Sequence, residues 1–229
     1  MMMLEVIGMN VEDCIAIEQA GANRIELVSA LSEGGLTPSV GMIEQCFEAV
    51  SIPIRVMIRP HSRHFSYSSY DLEVMKSDIE VVRQTGCEGI VIGTLDEHGR
   101  IHRKALESLL KVSDGLDVTF HRAFDELDDL EGGLDVLLNY PEIKTVLTSG
   151  GAGDVEHNVS ILKKLVEKAD NRMEILIGGG VNEQNIHTLL QESGSKSFHI
   201  GRMARENMDI HGRIVKTHIQ RIQNELYTR

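Results

Sequence analysis

The stretch TFHRAFD (residues 119–125) places a histidine, an arginine and an aspartate close together at the end of an apolar run. The preceding letters, LDVTF, alternate as a buried strand does, so His121, Arg122 and Asp125 follow the point where that strand leaves the core. An imidazole can exchange a proton or bind a metal, a guanidinium binds anions, and a carboxylate accepts hydrogen bonds. These three side chains therefore either pair with one another or serve a ligand.

Eight short apolar runs are predicted to be the strands that position such side chains. They are rich in Val and Ile and alternate with stretches of helical periodicity, as parallel strands covered on both faces do. We predict strands at Leu4–Gly8, Arg24–Val28, Ile54–Arg59, Gly89–Gly93, Asp117–His121, Thr145–Ser149, Glu174–Gly178 and Ser197–Gly201. Eight such units in 229 residues indicate an α/β fold, a single (β/α)8 TIM barrel over residues 1–229 with little insertion. An open, doubly wound sheet is the alternative.

Two of the intervening helices carry clear start or stop signals. The stretch TPSVGMIEQCFEAV predicts a helix with Thr37 as its N-cap and Pro38 as its first residue. The stretch NEQNIHTLLQESG predicts a helix that starts on Asn182 and stops on Gly194.

Alternation along the strands indicates which polar side chains point into the barrel. If the apolar residues face the helices, the residues between them face the interior. The inward set then consists of Glu5, Glu26, Arg59, His121 and His199, with Arg122, Asp125 and Ser149 at the strand ends. Burying each charge alone would be costly, so mutual pairing or a ligand must offset the lost hydration.

Two interpretations of this inward set stay open. In the first it is a structural polar layer, in which the carboxylates of Glu5 and Glu26 pair with Arg59 and Arg122. In the second it is an active site, because barrel enzymes work at the carboxyl ends of their strands. There Glu26 or His121 would be the general base, and Arg59 and Arg122 would hold substrate charge. Glu5, near the start of its strand, fits the structural role better.

Two glycine-rich turns follow the sixth and seventh strands. They contribute Ser149, Gly150 and Gly151 from TSGGAGD and Gly179 and Gly180 from GGGVNEQN. Glycine lets backbone N–H groups approach an anion, and barrels often bind phosphate in this region. We predict an anion site here, with tight strand–helix turns as the alternative.

A pair of histidines, His61-x-x-His64, lies in the long loop after the third strand. This spacing can hold a metal ion on a loop, but lone pairs of this kind are common. No metal ligands are therefore assigned from the sequence.

Composition restricts the class of protein. The net charge of −12 repels phosphate backbones and anionic lipid, so we expect neither nucleic-acid nor membrane partners. The scattered cysteines Cys14, Cys46 and Cys87 predict reduced thiols, and the start MMMLEVIGMN lacks the features of a signal peptide. We expect a cytoplasmic protein.

Five motifs occur in order along the chain: NRIELVSALSEGGLTPSVG, VMIRP, VTFHRAFD, VLTSGG, and GGGV followed by FH. Together they resemble the CutC family, whose members are often called copper homeostasis proteins. The resemblance implies a TIM barrel, a cytoplasmic location, homo-oligomers (a dimer is favoured) and a role in copper handling. It carries no settled reaction. The matched positions are Glu26, Arg59, His121, Arg122, Asp125, Ser149 and His199, which coincide with the polar set derived above.

The departures from the family pattern bear on copper. Family members commonly have a cysteine after IEL, where this chain has Val28, and cysteines near Ile7 and Gly8. The usual RPRGGDF becomes RPHSRHF, which introduces His61 and His64. Copper(I) prefers thiolate and thioether ligands, so the missing cysteines weaken a copper(I) site at the mouth of the barrel.

Three hypotheses about function follow. The first is a protein of copper homeostasis that binds the metal, with copper as the one cofactor that the resemblance suggests. The second is a barrel enzyme that acts on a small anionic, phosphorylated metabolite. The third is a binding module whose polar layer only stabilises the barrel. The sequence leaves open whether the protein is an enzyme.

Overall fold

The computed structural model describes residues 2–227, in which eight parallel strands form a closed barrel with each strand beside its neighbours in sequence. The strands are β1 (Met3–Gly8), β2 (Arg24–Leu27), β3 (Ile54–Met57), β4 (Gly89–Ile92), β5 (Asp117–Phe120), β6 (Ile143–Thr148), β7 (Glu174–Ile177) and β8 (Ser197–Ile200). The predicted (β/α)8 barrel is confirmed. Most predicted strands continue one or two residues too far, because the regular strand ends before the last residues of each predicted run.

Within residues 2–227, eight α-helices surround the barrel. They are α1 (Val11–Gln19), α2 (Val40–Ala49), α3 (Ser69–Thr85), α4 (Arg103–Leu110), α5 (Leu130–Leu137), α6 (Val159–Ala169), α7 (Ile186–Ser193) and α8 (Lys216–Tyr227). Their buried apolar faces and the outward strand residues form one large core between the two layers. In the part of the chain from 2 to 227, none of the helices has the length and apolarity that a membrane span requires.

Two predicted helix starts are wrong. Helix α2 is capped by Ser39, whose hydroxyl accepts the Met42 N–H, whereas the Thr37 hydroxyl accepts the Arg59 N–H. Helix α7 begins after Asn185, because the Asn182 side chain instead closes a turn by accepting the N–H of Gln184. In both cases a good capping residue is used by the loop before the helix.

The amino-terminal half of the barrel interior holds a charged network that the strand alternation implied but that we did not assign. Arg24 pairs with Glu5 and, at 3.0 Å, with Glu174. Arg55 donates to the hydroxyls of Thr119 and Thr145 at 2.7 Å each. Both arginines are almost fully buried, so these partners replace the water that each guanidinium loses. The network fills the barrel interior below the carboxyl-terminal mouth.

Candidate functional site

A cavity of about 850 Å³ opens at the carboxyl ends of the strands. It receives seven of the residues proposed from sequence: Glu26, Arg59, His121, Arg122, Gly179, Gly180 and His199. Apolar side chains complete the wall, among them Ile7, Met57, Leu147, Met203 and Met208. Ionisable side chains on or just after four strands, β2, β3, β5 and β8, thus share one concave site with a partly apolar lining, as ligand pockets do.

Glu5, His199 and Glu26 form a row across the interior from β1, β8 and β2. The His199 Nδ1 lies 2.8 Å from the Glu5 Oε1, and the His199 Nε2 lies 3.7 Å from the Glu26 Oε2. The other carboxylate oxygen of Glu26, Oε1, is buried and has no hydrogen-bond partner among the described residues. The row therefore ends in one carboxylate oxygen without a partner, on a residue that lines the cavity.

The charges of this row are shaped by burial and by one another. Burial raises the pKa of Glu26 to about 7, against the opposing effect of His199. Burial would also raise the pKa of Glu5, but Arg24 and His199 hold it well below its ordinary range. For His199, burial lowers the pKa, yet the two carboxylates outweigh it and the net direction is upward. Glu5 is thus a fixed anion, and Glu26 is the carboxylate whose charge can change.

His121 is held as a neutral hydrogen-bond donor. The Ala123 N–H donates to its Nδ1 at 3.1 Å, which places the ring proton on Nε2. Burial, followed by the charge of Arg59, lowers the pKa of His121 to about 3. Its Nε2 has no partner within residues 2–227. Of the two candidate bases named from sequence, His121 therefore has the geometry of a donor to a ligand and not that of a base.

The His121 ring is tightly enclosed. It packs against Phe65 with 4.8 Å between ring centroids. A Cβ on Gly93 would lie 2.4 Å from the ring, so the imidazole occupies space that only glycine leaves free.

Arg59 lies at the mouth, but its guanidinium is largely used by the loops. Its Nη1 donates to the carbonyl oxygens of Glu33 at 2.9 Å and Gly35 at 3.2 Å, and its Nη2 to that of Ser62 at 3.3 Å. The guanidinium also stacks over Phe65, 4.7 Å from the ring centroid. Arg59 thus joins the loops after β2 and β3, and the pairing of both arginines with Glu5 and Glu26 does not occur.

Arg122, Asp125 and Ser149 form a second hydrogen-bonded unit, just after β5 and β6. Arg122 donates to the Asp125 carboxylate at 2.8 Å and to the Ser149 hydroxyl at 2.9 Å. The same carboxylate accepts the backbone N–H groups of Ser149 and Gly151, and the Gly150 N–H bonds to the Thr148 hydroxyl. These three amides of the predicted anion site therefore already have partners within the protein.

The second glycine turn keeps its amides open. Gly179 and Gly180 have φ angles of +80° and +118°, and no hydrogen bond from either N–H is found in the described chain. A Cβ on Gly179 would lie 2.9 Å from the Arg122 guanidinium carbon, so only glycine lets this turn approach the arginine. The side chain of Arg122 is 48% exposed, which leaves its charge accessible from the cavity. The groups of the predicted anion site that are still available to a ligand are therefore the amides of Gly179 and Gly180, with the charge of Arg122 beside them.

Potential metal ligands occur in two places. Donor atoms of Glu5, Glu26 and His199 lie within 4.8 Å of one another, the one such group found among residues 2–227. The rings of His61 and His64 stand nearly perpendicular, with 5.1 Å between centroids. The cysteines Cys14, Cys46 and Cys87 are buried and unpaired on the helical side, as expected. The mouth therefore offers nitrogen and oxygen ligands and no thiol.

The strand pattern did not identify the loop after β8, which closes one side of the cavity. Arg205 anchors this loop, donating to Asp13 at 2.8 Å and to the carbonyl oxygens of Ile7 and Gly212. The arginine is only 1% exposed. Because these residues lie in turns, no periodicity in the sequence marks them.

Comparison with known proteins agrees with this architecture. Residues 2–204 match the CutC family. A human protein named copper homeostasis protein cutC homolog is 41% identical over 197 residues, which is 86% of this chain and 72% of that protein. The crystal structure of CutC from Streptococcus agalactiae superposes with a TM-score of 0.82 at 34% identity, covering 88% of this chain and 98% of that one. A phosphoribosyl anthranilate isomerase from Thermococcus kodakaraensis covers both chains fully with a TM-score of 0.68 but 16% identity, which shows the barrel fold alone. This protein belongs to the CutC family.

Proposed function

We propose that this protein acts in copper homeostasis, the role named for its human relative. The observation that carries the proposal is 41% identity with that protein over most of both chains. The proposed location is the cytoplasm, where cysteines stay reduced, in agreement with the three unpaired cysteines. The proposed assembly is a homo-oligomer, with a dimer favoured.

The donor atoms at the mouth restrict the form of copper that fits. Copper(I) prefers sulfur ligands, and the cavity contains thioethers from Met57, Met203 and Met208 but no thiolate. Imidazole and carboxylate groups, which suit divalent ions, lie deeper in the row formed by His199 and Glu26. The cavity is therefore better suited to copper(II) than to a copper(I)–thiolate site.

The test combines a cellular and a chemical measurement. A strain that lacks the gene should grow more poorly than its parent in excess copper, and the intact gene should restore growth. Reduced protein should be titrated anaerobically with copper(I) against a chromophoric chelator, and separately with copper(II). Normal copper tolerance of the deletion strain would refute the proposed role. Failure of the protein to bind either copper ion would refute direct copper binding.

A second candidate function is an enzyme that acts on a small anionic, phosphorylated metabolite. It is favoured by the free donors that surround the cavity: the His121 Nε2–H and the amides of Gly179 and Gly180. Preorganised donors of this kind stabilise negative charge that develops during a reaction. Arg122 supplies the charge that would hold a phosphate group.

Ligand binding tests this second function. Phosphorylated metabolites should be screened for a rise in Tm, and a positive compound should be titrated against Arg122→Met. Because half of the Arg122 side chain is exposed, that variant should fold normally and bind at least ~10-fold more weakly, the loss that ~1.4 kcal/mol gives. Arg59→Met is a poorer test because it removes three bonds to loop carbonyls. Unchanged affinity in Arg122→Met would exclude this anion site.

A further inference from the structure

We propose that His199 and Glu26 form a binding site for a divalent transition-metal cation, with Glu5 as the carboxylate that orients the histidine. The inference deepens the proposed role in copper homeostasis, because it names the residues that would hold an ion. It rests on that role only for the choice of copper(II) among the probes.

The gap between the two ligands has the size that a metal ion requires. The His199 Nε2 and the Glu26 Oε2 are 3.7 Å apart, too far for a hydrogen bond. Two ligands bound ~2.1 Å from one zinc ion at a tetrahedral angle lie about 3.4 Å apart. Side-chain shifts of a few tenths of an ångström would therefore bring both groups to an ion placed between them.

Glu5 orients the His199 ring for metal binding. Its Oε1 lies 2.8 Å from the His199 Nδ1, so an N–H on that nitrogen leaves the Nε2 lone pair directed toward Glu26. Histidines that bind metals almost always donate their other N–H to a carboxylate or carbonyl. Glu5 is itself held by Arg24, which keeps it in the outer position and not at the ion.

The unpaired oxygen of Glu26 also favours a bound cation. Its Oε1 has no hydrogen-bond partner among residues 2–227, although Glu26 is only 3% exposed. An unsatisfied buried carboxylate oxygen is costly, and a bound cation would remove that cost. The cavity above it leaves room for water or a ligand to complete the coordination.

The donor types select the class of ion. One imidazole and one carboxylate suit zinc(II) or copper(II), whereas copper(I) would need sulfur. The two histidines of the HxxH motif, His61 and His64, are the competing imidazole site. The His61 Nε2 lies 3.6 Å from the Asp71 Oδ2, which could supply a carboxylate ligand there. The experiment has to separate these two places.

Metal-depleted protein should be titrated with Zn²⁺ by calorimetry, and variants compared with it. One ion should bind per chain, and His199→Gln and Glu26→Gln should each weaken binding by more than the ~10–100-fold typical of outer-sphere changes. His61→Gln, the matched control, should bind as the native chain does. Wild-type affinity in His199→Gln, or loss of binding in His61→Gln, would overturn the proposal.

A spectroscopic measurement on the native chain keeps the proposal testable if a variant fails to fold. Electron paramagnetic resonance of protein loaded with one Cu²⁺ should show nitrogen coupling from a single imidazole. Coupling from two imidazoles would place the ion elsewhere and refute the site. The cellular test is separate from the binding test. If the deletion strain tolerates copper but the purified native protein binds Zn²⁺, only the copper role is refuted. If the deletion strain is sensitive to copper but the purified His199→Gln protein binds Zn²⁺ normally, only the site is refuted.

Discussion

Changing His121 to glutamine should make the free energy of unfolding less sensitive to acid than it is in the native chain. In the folded protein the pKa of His121 is lowered from 6.5 to about 3 by burial and by the charge of Arg59. In the unfolded chain the imidazole returns to its ordinary pKa and takes up a proton as the pH falls. Acid therefore stabilises the unfolded state, and the stability associated with a neutral His121 is lost as the pH decreases below about 6.5.

The size of the effect follows from these two pKa values. At pH 5 a histidine with an ordinary pKa is almost fully protonated, whereas the folded His121 is still neutral. Protonation of His121 in the unfolded state then lowers the free energy of unfolding by about 2 kcal/mol at pH 5 and by only about 0.2 kcal/mol at pH 7. The native chain should lose about 2 kcal/mol more stability between these pH values than His121→Gln.

Urea unfolding at pH 7 and pH 5, followed by circular dichroism, measures the difference directly. The other nine histidines titrate in both proteins, so their contributions cancel in the comparison. Glutamine is neutral at both pH values, so the variant lacks the titrating group at position 121. Equal pH dependence of the two proteins would show that His121 is already protonated in the folded state, and the assignment of a neutral donor would be wrong.

Three further predictions concern the surroundings of the mouth. Gly93→Ala should destabilise the fold by ~1–3 kcal/mol in urea unfolding, because its Cβ would lie 2.4 Å from the His121 ring. Arg205→Met should cost ~3–5 kcal/mol and make the loop after β8 more sensitive to protease, because it leaves the Asp13 carboxylate buried without its ion pair. Burial raises the pKa of Tyr67 to about 12, so the native chain should lose about 2 kcal/mol more stability than Tyr67→Phe between pH 10 and pH 12, with the last tyrosine ionisation seen at 295 nm.

Matched controls separate these effects from general damage. Gly41→Ala, at an open position in the first turn of α2, should not destabilise the fold. Arg221→Met breaks an exposed contact of 3.7 Å with Glu183 and should change stability by less than ~0.5 kcal/mol. If Gly93→Ala or Arg205→Met behaves like its control, the close packing of Gly93 on His121 or the ion pair of Arg205 with Asp13 is absent in solution. If Tyr67→Phe shows the native pH dependence, the Tyr67 hydroxyl is not buried.

The sequence by itself determined the barrel and the inward direction of its polar side chains. Eight compact Val- and Ile-rich runs separated by helical periodicity leave few alternatives to a closed parallel barrel. A period of two along each strand follows from backbone geometry, so Glu26, His121 and His199 could be placed inside without knowing their neighbours. The same reasoning, applied fully, would also have found Arg24 and Arg55.

Only the tertiary structure decided which of these side chains meet. Glu5 lies opposite Arg24 on β2 and His199 on β8 because of the register of the closed barrel. Register depends on how all eight strands stagger together, and no single strand records it. The paths of the loops are likewise non-local: Asp125 occupies the amides of the first glycine turn, and Arg205 reaches Asp13 from the far end of the chain. Side-chain direction is a local property of a strand, whereas partnership between charges depends on contacts between residues far apart in the sequence.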